Sequence, residues 1–84
     1  MAKVLLTDEV TAQAQRLPKA ITARILRIVD RLEKWPQVSG AKPLRHGLAG
    51  RYRIRTGDYR IQFRVEREEI IVEKIGRREG FYEE

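Results

Sequence analysis

This 84-residue sequence contains no cysteine and one histidine, His46. The first absence excludes a disulfide framework and any thiolate metal centre, and the second leaves too few imidazoles for a zinc site. No metal or other cofactor is therefore expected. Long apolar runs are missing as well: no window approaches the roughly 20 apolar residues of a membrane span, and the apolar part of MAKVLLTDEV is too short for a secretory signal. The expectation is a cytoplasmic protein with no membrane partner. Repeats and low-complexity segments are absent. At this length the chain is one domain, residues 1–84, and such a domain buries only about 60–65% of its extended-chain surface.

What the chain has in excess is positive charge, and the excess is local. The formal net charge is +6. Between Lys42 and Arg64 lie seven cations (Lys42, Arg45, Arg51, Arg53, Arg55, Arg60, Arg64) against one acid, Asp58, so this window alone accounts for the surplus. A local field of one sign attracts and orients an anionic partner, where a diffuse surplus does not.

Inside the window the residues alternate as a strand requires. Tyr52, Ile54, Ile61, Phe63 and Val65 are apolar at period two, with Arg51, Arg53, Arg55, Arg60, Gln62 and Arg64 in the opposite phase. Gly57 can take the positive φ of the first central position in a II′ turn. A two-residue turn then sets Arg55 opposite Arg60, Arg53 opposite Gln62 and Arg51 opposite Arg64, which puts every arginine on one face. Like charges directly across a strand pair cost up to about 1 kcal/mol each. A run of five arginines without an interleaved acid therefore reads as a platform for phosphate, to which the rigid guanidinium fork is well matched.

The flanking segments supply the rest of a small domain. Lys3 to Leu6 suits a first strand, and Thr7-Asp8-Glu9 opens a helix with a hydroxyl cap followed by carboxylates at the positive end of the dipole. Val10, Ala14 and Leu17 mark its buried face. Pro18 breaks that helix and serves as the first residue of a second, whose stripe Ile21, Ile25, Ile28, Leu32 and Trp35 runs as far as Pro36. Trp35 continues this stripe and is expected in the core. Gln37 to Lys42 reads as a loop. Glu66-Arg67-Glu68-Glu69 is a charged turn, and Ile70, Ile71, Val72 and Ile75 compose an inner strand. The expected fold class is α+β: β-α-α-β-β-β, with a helical hairpin on one face of a mainly antiparallel four-stranded sheet.

That order, with Leu44-x3-Leu48-x-Gly50-x-Tyr52-x-Ile54-Arg55-x-Gly57-Asp58-Tyr59-Arg60 and the closing Ile75-Gly76-Arg77-Arg78-x3-Tyr82, resembles the RelE/ParE superfamily of bacterial toxins across essentially the whole chain. The resemblance implies the toxin half of a type II toxin–antitoxin pair, with a RelE-like, microbial ribonuclease-type architecture. It implies either a metal-independent endoribonuclease that cuts messenger RNA on the ribosome or, as in ParE-like members, an inhibitor of DNA gyrase. A catalytically weak RNA-binding relative is the remaining alternative. Carried over position by position, the RelE-type catalytic places fall on Arg53, Arg55, Arg60, Arg78 and Tyr82, which favours the nuclease. Arg45, Arg51, Arg64 and Arg77 are then expected to bind RNA phosphate. Where the best-known RelE proteins carry lysine this chain has Arg53 and Arg55, which are poor proton acceptors. The general base is left open between His46, Glu79 and Tyr82. The implied partners are messenger RNA, the ribosome and a cognate antitoxin whose acidic, partly disordered segment folds onto the cationic face within a higher-order assembly.

Overall fold

A computed structural model describes residues 2–44 and 50–77. Strand β1 (Lys3–Leu6) leads into helix α1 (Asp8–Gln15), and helix α2 (Lys19–Leu32) follows after a break. The remaining elements are β2 (Lys42–Pro43), β3 (Arg51–Thr56), β4 (Tyr59–Glu66) and β5 (Glu69–Arg77). They form one five-stranded sheet in the order β1-β5-β4-β3-β2. β1 runs parallel to β5 and every other pair is antiparallel. The sheet thus has one strand more than the alternation pattern indicates. The addition is β2, whose two residues include Pro43, and so short a segment carries no periodicity.

Local chemistry accounts for the helix boundaries. The Val10 amide donates to Thr7 Oγ1 at 3.1 Å, with Asp8 and Glu9 in the first turn of α1. Pro18 sits one residue earlier than expected: its ψ of 145° is extended, so it is the N-cap of α2 and Lys19 is the first helical residue. The hydroxyl of Thr22 donates to the Ala14 carbonyl at 3.0 Å and ties the two helices together. α2 ends at Leu32, before the stripe does. A tighter turn, with the Trp35 amide donating to the Leu32 carbonyl at 3.0 Å, carries Trp35 onto the same face.

The helices cover one face of the sheet. Val10, Ile25, Ile28 and Leu32 meet Ile54, Ile61, Phe63, Ile70, Val72 and Ile75 in a single buried cluster. Trp35 closes one end of it, edge-on to Tyr52 at 4.7 Å and to Phe63 at 5.4 Å between ring centroids. Burial of this apolar set is the main driving force for the fold. The β3–β4 connection is the expected two-residue turn: Gly57 has φ +61° whereas Asp58 keeps a negative φ, which is the II′ pattern. Arg51↔Arg64, Arg53↔Gln62 and Arg55↔Arg60 are in register.

Candidate functional site

The face of the sheet away from the helices is organised in rows across the strands. Nearest the hairpin tip, Arg55, Arg60 and Gly76 are in register; the middle row is Lys42, Arg53, Gln62 and Lys74; the row furthest from the tip is Arg51, Arg64, Ile71 and Leu5. Arginines of β3 and β4 therefore do share one face, as the hairpin pairing requires. Two features of that face differ from what the sequence suggests.

The first is an acid among the arginines. Between β4 and β5 the register shifts, so that Gln62 pairs with Lys74 and Phe63 with Val72, leaving Glu73 as the extra residue of a bulge. The bulge lets Val72 and Ile75, three residues apart, both point into the core. It also puts Glu73 beside Lys74 on the outer face. Glu73 Oε1 accepts from Arg51 Nε at 2.8 Å and from Gln62 Nε2 at 2.9 Å, while Oε2 accepts from an Arg64 terminal nitrogen at 3.0 Å. Arg64 Nε also donates to Glu66 at 2.8 Å. The expectation of an arginine face without an interleaved acid is thus corrected. β3 and β4 contain none, and the acid arrives from the next strand.

Burial alone would push the Glu73 carboxyl up, yet hydrogen bonds from Gln62 and Arg51, the Arg51 charge and the bond from Arg64 hold it below the usual carboxylate range. The Arg64 guanidinium is held above its ordinary value by its hydrogen bonds to Glu66 and Glu73. Arg51 and Arg64 are consequently oriented by carboxylates.

The second difference is Arg60, which is only 4% exposed and is the one buried charged residue among those described. The hairpin pattern places it with the other arginines of the expected phosphate platform. β4 is the middle strand of the five, but a central position alone does not bury a residue of this face, since Gln62 and Arg64 of the same strand are only half-buried. Arg55 across from it is exposed and Arg53 is half-buried. Arg77 lies exposed at the end of β5, in register with Tyr59. Arg45, His46, Arg78, Glu79 and Tyr82 lie outside the described residues.

Lys74 and Glu73 are residues of this face that reading the hairpin alone misses. The signal for them was present: Val72 and Ile75 are three apart in an otherwise alternating strand, which only a bulge reconciles with one buried face. Lys42 is likewise a strand residue beside Arg53, not a loop residue. On the helix side, a terminal nitrogen of Arg24 lies 3.5 Å from where a side chain on Gly57 would begin, so this α2 guanidinium reaches the hairpin tip. Among the described residues no cluster of His, Cys, Asp and Glu could hold a metal ion, and no helix is long and apolar enough to cross a membrane. A hollow of about 530 Å³ at the β4–β5 turn is lined by Glu66, Arg67, Glu68 and Glu69, at the opposite end of the strands from the tip. Its carboxylates make it a poor place for phosphate.

A two-helix domain on a five-stranded sheet of this topology is the fold of solved RelE toxins. The chain is similar to the toxin in the RelBE2 toxin–antitoxin complex of Mycobacterium tuberculosis, with 26% identity, a TM-score of 0.79, and 92% of this chain and 98% of that one covered. It is similar to a chain of the archaeal RelE–RelB complex of Pyrococcus horikoshii at 29% identity and TM-score 0.76, covering 96% and 98%. The isolated E. coli RelE toxin shares the fold at 16% identity and TM-score 0.78, covering 92% and 84%. No curated protein sequence matches the chain. Residues 4–81 match the family described as the ParE toxin of type II toxin–antitoxin systems, parDE. The chain belongs to that family, and so to the RelE/ParE superfamily of toxins.

Proposed function

We propose that this toxin is a ribosome-dependent, metal-independent endoribonuclease that cleaves messenger RNA and so blocks translation. The observation that carries the reading is the grouping of Arg53, Arg55 and Arg60 with Lys74 at the tip-side end of one sheet face. In the proposed reaction the 2′-oxygen of one nucleotide bonds to the adjacent phosphorus as the bond from phosphorus to the 5′-oxygen breaks. A base takes the 2′-hydroxyl proton and the departing 5′-oxygen gains one. Charge builds on the non-bridging oxygens, and donors preorganised around them supply the acceleration.

Exposed Arg55 positions the phosphate. Buried Arg60 adds positive field from beneath it, where water screens least, and Arg78 completes the cationic cradle. Tyr82 stacks on a base or orients the 2′-hydroxyl. The general base is His46, Glu79 or Tyr82. Glu73 does not suit that role, because its lowered pKa and its hydrogen bonds oppose taking up a proton. Arg51, Arg64, Arg45 and Arg77 serve the RNA strand outside the cleaved bond, the first two only in so far as Glu73 and Glu66 release them. Since similar chains were solved as RelB–RelE complexes, the cognate partner is an antitoxin. Its acidic segment covers this face in a higher-order cytoplasmic assembly.

A second reading is favoured by one specific observation, the family match itself, which is to ParE toxins; the activity would then be inhibition of DNA gyrase. Primer extension on a defined message in a purified translation system separates the two. Cleavage at ribosome-bound codons, absent with naked RNA and lost in Arg55→Gln and Arg78→Ala, is the expected result. Intact message together with loss of gyrase supercoiling activity would replace the nuclease with the gyrase inhibitor.

A further inference from the structure

The cationic surface does not stop at the sheet. Along α2, Arg24, Arg27 and Arg31 recur at i, i+3 and i+7, and at about 100° per residue they fall within about 60° of arc on one flank of the buried stripe. Lys34 follows on the same flank one turn later. Of the two acids of this segment, Glu33 falls on the far side along with exposed Leu26. Asp30, three residues after Arg27 and four before Lys34, borders the basic flank, but it forms no ion pair with either of them. The flank carries four cations against this one acid.

The orientation of this flank follows from two contacts. Arg24 reaches Gly57 at the hairpin tip. Arg31 donates to the carbonyl and the hydroxyl of Ser39, at 2.8 and 3.1 Å, in the segment leading to β2. The basic flank therefore overlooks the β3 edge of the sheet, the same edge at which Lys42 stands beside Arg53 on the opposite face. β2 pairs with β3 only at Tyr52 and Arg53, so among the described residues no strand beyond the hairpin separates the two cationic regions near the tip.

We propose that these regions are one track, and that an RNA backbone running off the sheet face passes the hairpin tip at Arg24 and continues along Arg27 and Lys34. The inference rests on the nuclease reading for its ligand class, but it assigns α2 a share of RNA affinity that the cleavage site does not require. The track is sequence-independent, because its contacts are point charges and guanidinium forks against phosphate. It follows that the length of RNA bound exceeds the few nucleotides the sheet face alone can cover.

The test is fluorescence anisotropy with non-cleavable 2′-O-methyl RNA of two lengths, about 4 and about 16 nucleotides, titrated at several salt concentrations. Three proteins are compared: wild type, Arg24→Gln/Arg27→Gln/Lys34→Gln, and Arg53→Gln/Arg55→Gln. For wild type the long probe should show the steeper salt dependence. The helix variant should reduce that slope by about 2, at roughly 0.7 per lost phosphate contact, and weaken the long probe about 10-fold more than the short one. The sheet variant should weaken both. Thermal melts within about 2 °C of wild type confirm that the exposed helix substitutions leave the fold intact. A helix variant that binds the long probe like wild type overturns the track while leaving the sheet site standing. Loss of binding to a polyglutamate peptide alone, with RNA affinity intact, overturns it in favour of an acidic protein partner. No binding of either RNA by wild type likewise overturns the track, whereas the ribosome-dependent nuclease reading on which the inference rests stands or falls separately, on cleavage of ribosome-bound message.

Discussion

Replacing Glu73 by alanine tests whether the acid of the bulge holds the sheet face together. Its side chain is 15% exposed and accepts from Arg51, Gln62 and Arg64. A net contribution of about 1 kcal/mol per intramolecular hydrogen bond, somewhat more for charged donors, has to be discounted because the Arg51 side chain keeps 34% of its exposure. Truncating Glu73 should then cost about 2 kcal/mol, and at about 4–8 °C per kcal/mol for a domain of this size the melting temperature falls by about 8–16 °C at pH 7. The sign of the pH dependence follows from the lowered carboxyl pKa. The stabilisation is fully present above the ordinary carboxylate value near ~4.3 and disappears as pH falls through the depressed folded value. Thermal denaturation followed by circular dichroism, for wild type and Glu73→Ala between pH 7 and pH 2, should show the two curves converging in acid. A variant that melts with wild type at pH 7, or a gap that persists undiminished at pH 2, would refute the account of Glu73 as an ionised clamp.

Three further outcomes are expected. Phe63→Ala removes a side chain with no exposure that packs against Trp35 and Tyr52; urea denaturation should show a loss of about 3–5 kcal/mol, enough to leave so small a domain largely unfolded. Gly57→Val forces a β-branched residue to φ +61° and should cost about 1–2 kcal/mol by the same assay, a backbone effect, since the added Cβ itself meets nothing nearer than Arg24 at 3.5 Å. Arg55→Gln replaces an exposed side chain, so its stability should stay within about 1 kcal/mol of wild type by the same assay while message cleavage is lost.

The sequence pattern discloses the β3–β4 hairpin to the residue. Alternation at period two fixes the faces, Gly57 fixes the turn, and the turn fixes the register. The helices are legible for similar reasons, but their ends are not. Leu32 and Trp35 belong to one apolar stripe although the backbone tightens between them, because periodicity records which face is buried and not which hydrogen bonds are made. β2 is invisible, since two residues including Pro43 form a strand only because β3 is there to pair with. The burial of Arg60 is not legible either: a hairpin does not reveal which of its strands lies inside the sheet, and even on that inner strand Gln62 and Arg64 are only half-buried. Glu73 was legible in principle, through the spacing of Val72 and Ile75, but the spacing says only that a bulge exists. The three contacts that Glu73 makes depend on the adjacent β4 and on β3 beyond it.

The position of that bulge divides the arginines into two populations. At the end of the strands remote from the tip, Arg51 and Arg64 face each other and would repel, but Glu73 lies within bonding distance of both, and Glu66 takes the remaining face of Arg64. Toward the tip, Arg55 and Arg60 are paired in register and the β5 residue beside them is Gly76. The middle row adds Lys42, Arg53 and Lys74. The charge pattern thus differs along one sheet face: acids of β4 and β5 orient the arginines at the remote end, while cations of β2, β3, β4 and β5 gather toward the tip, where the density of donors available to an anionic ligand is greatest.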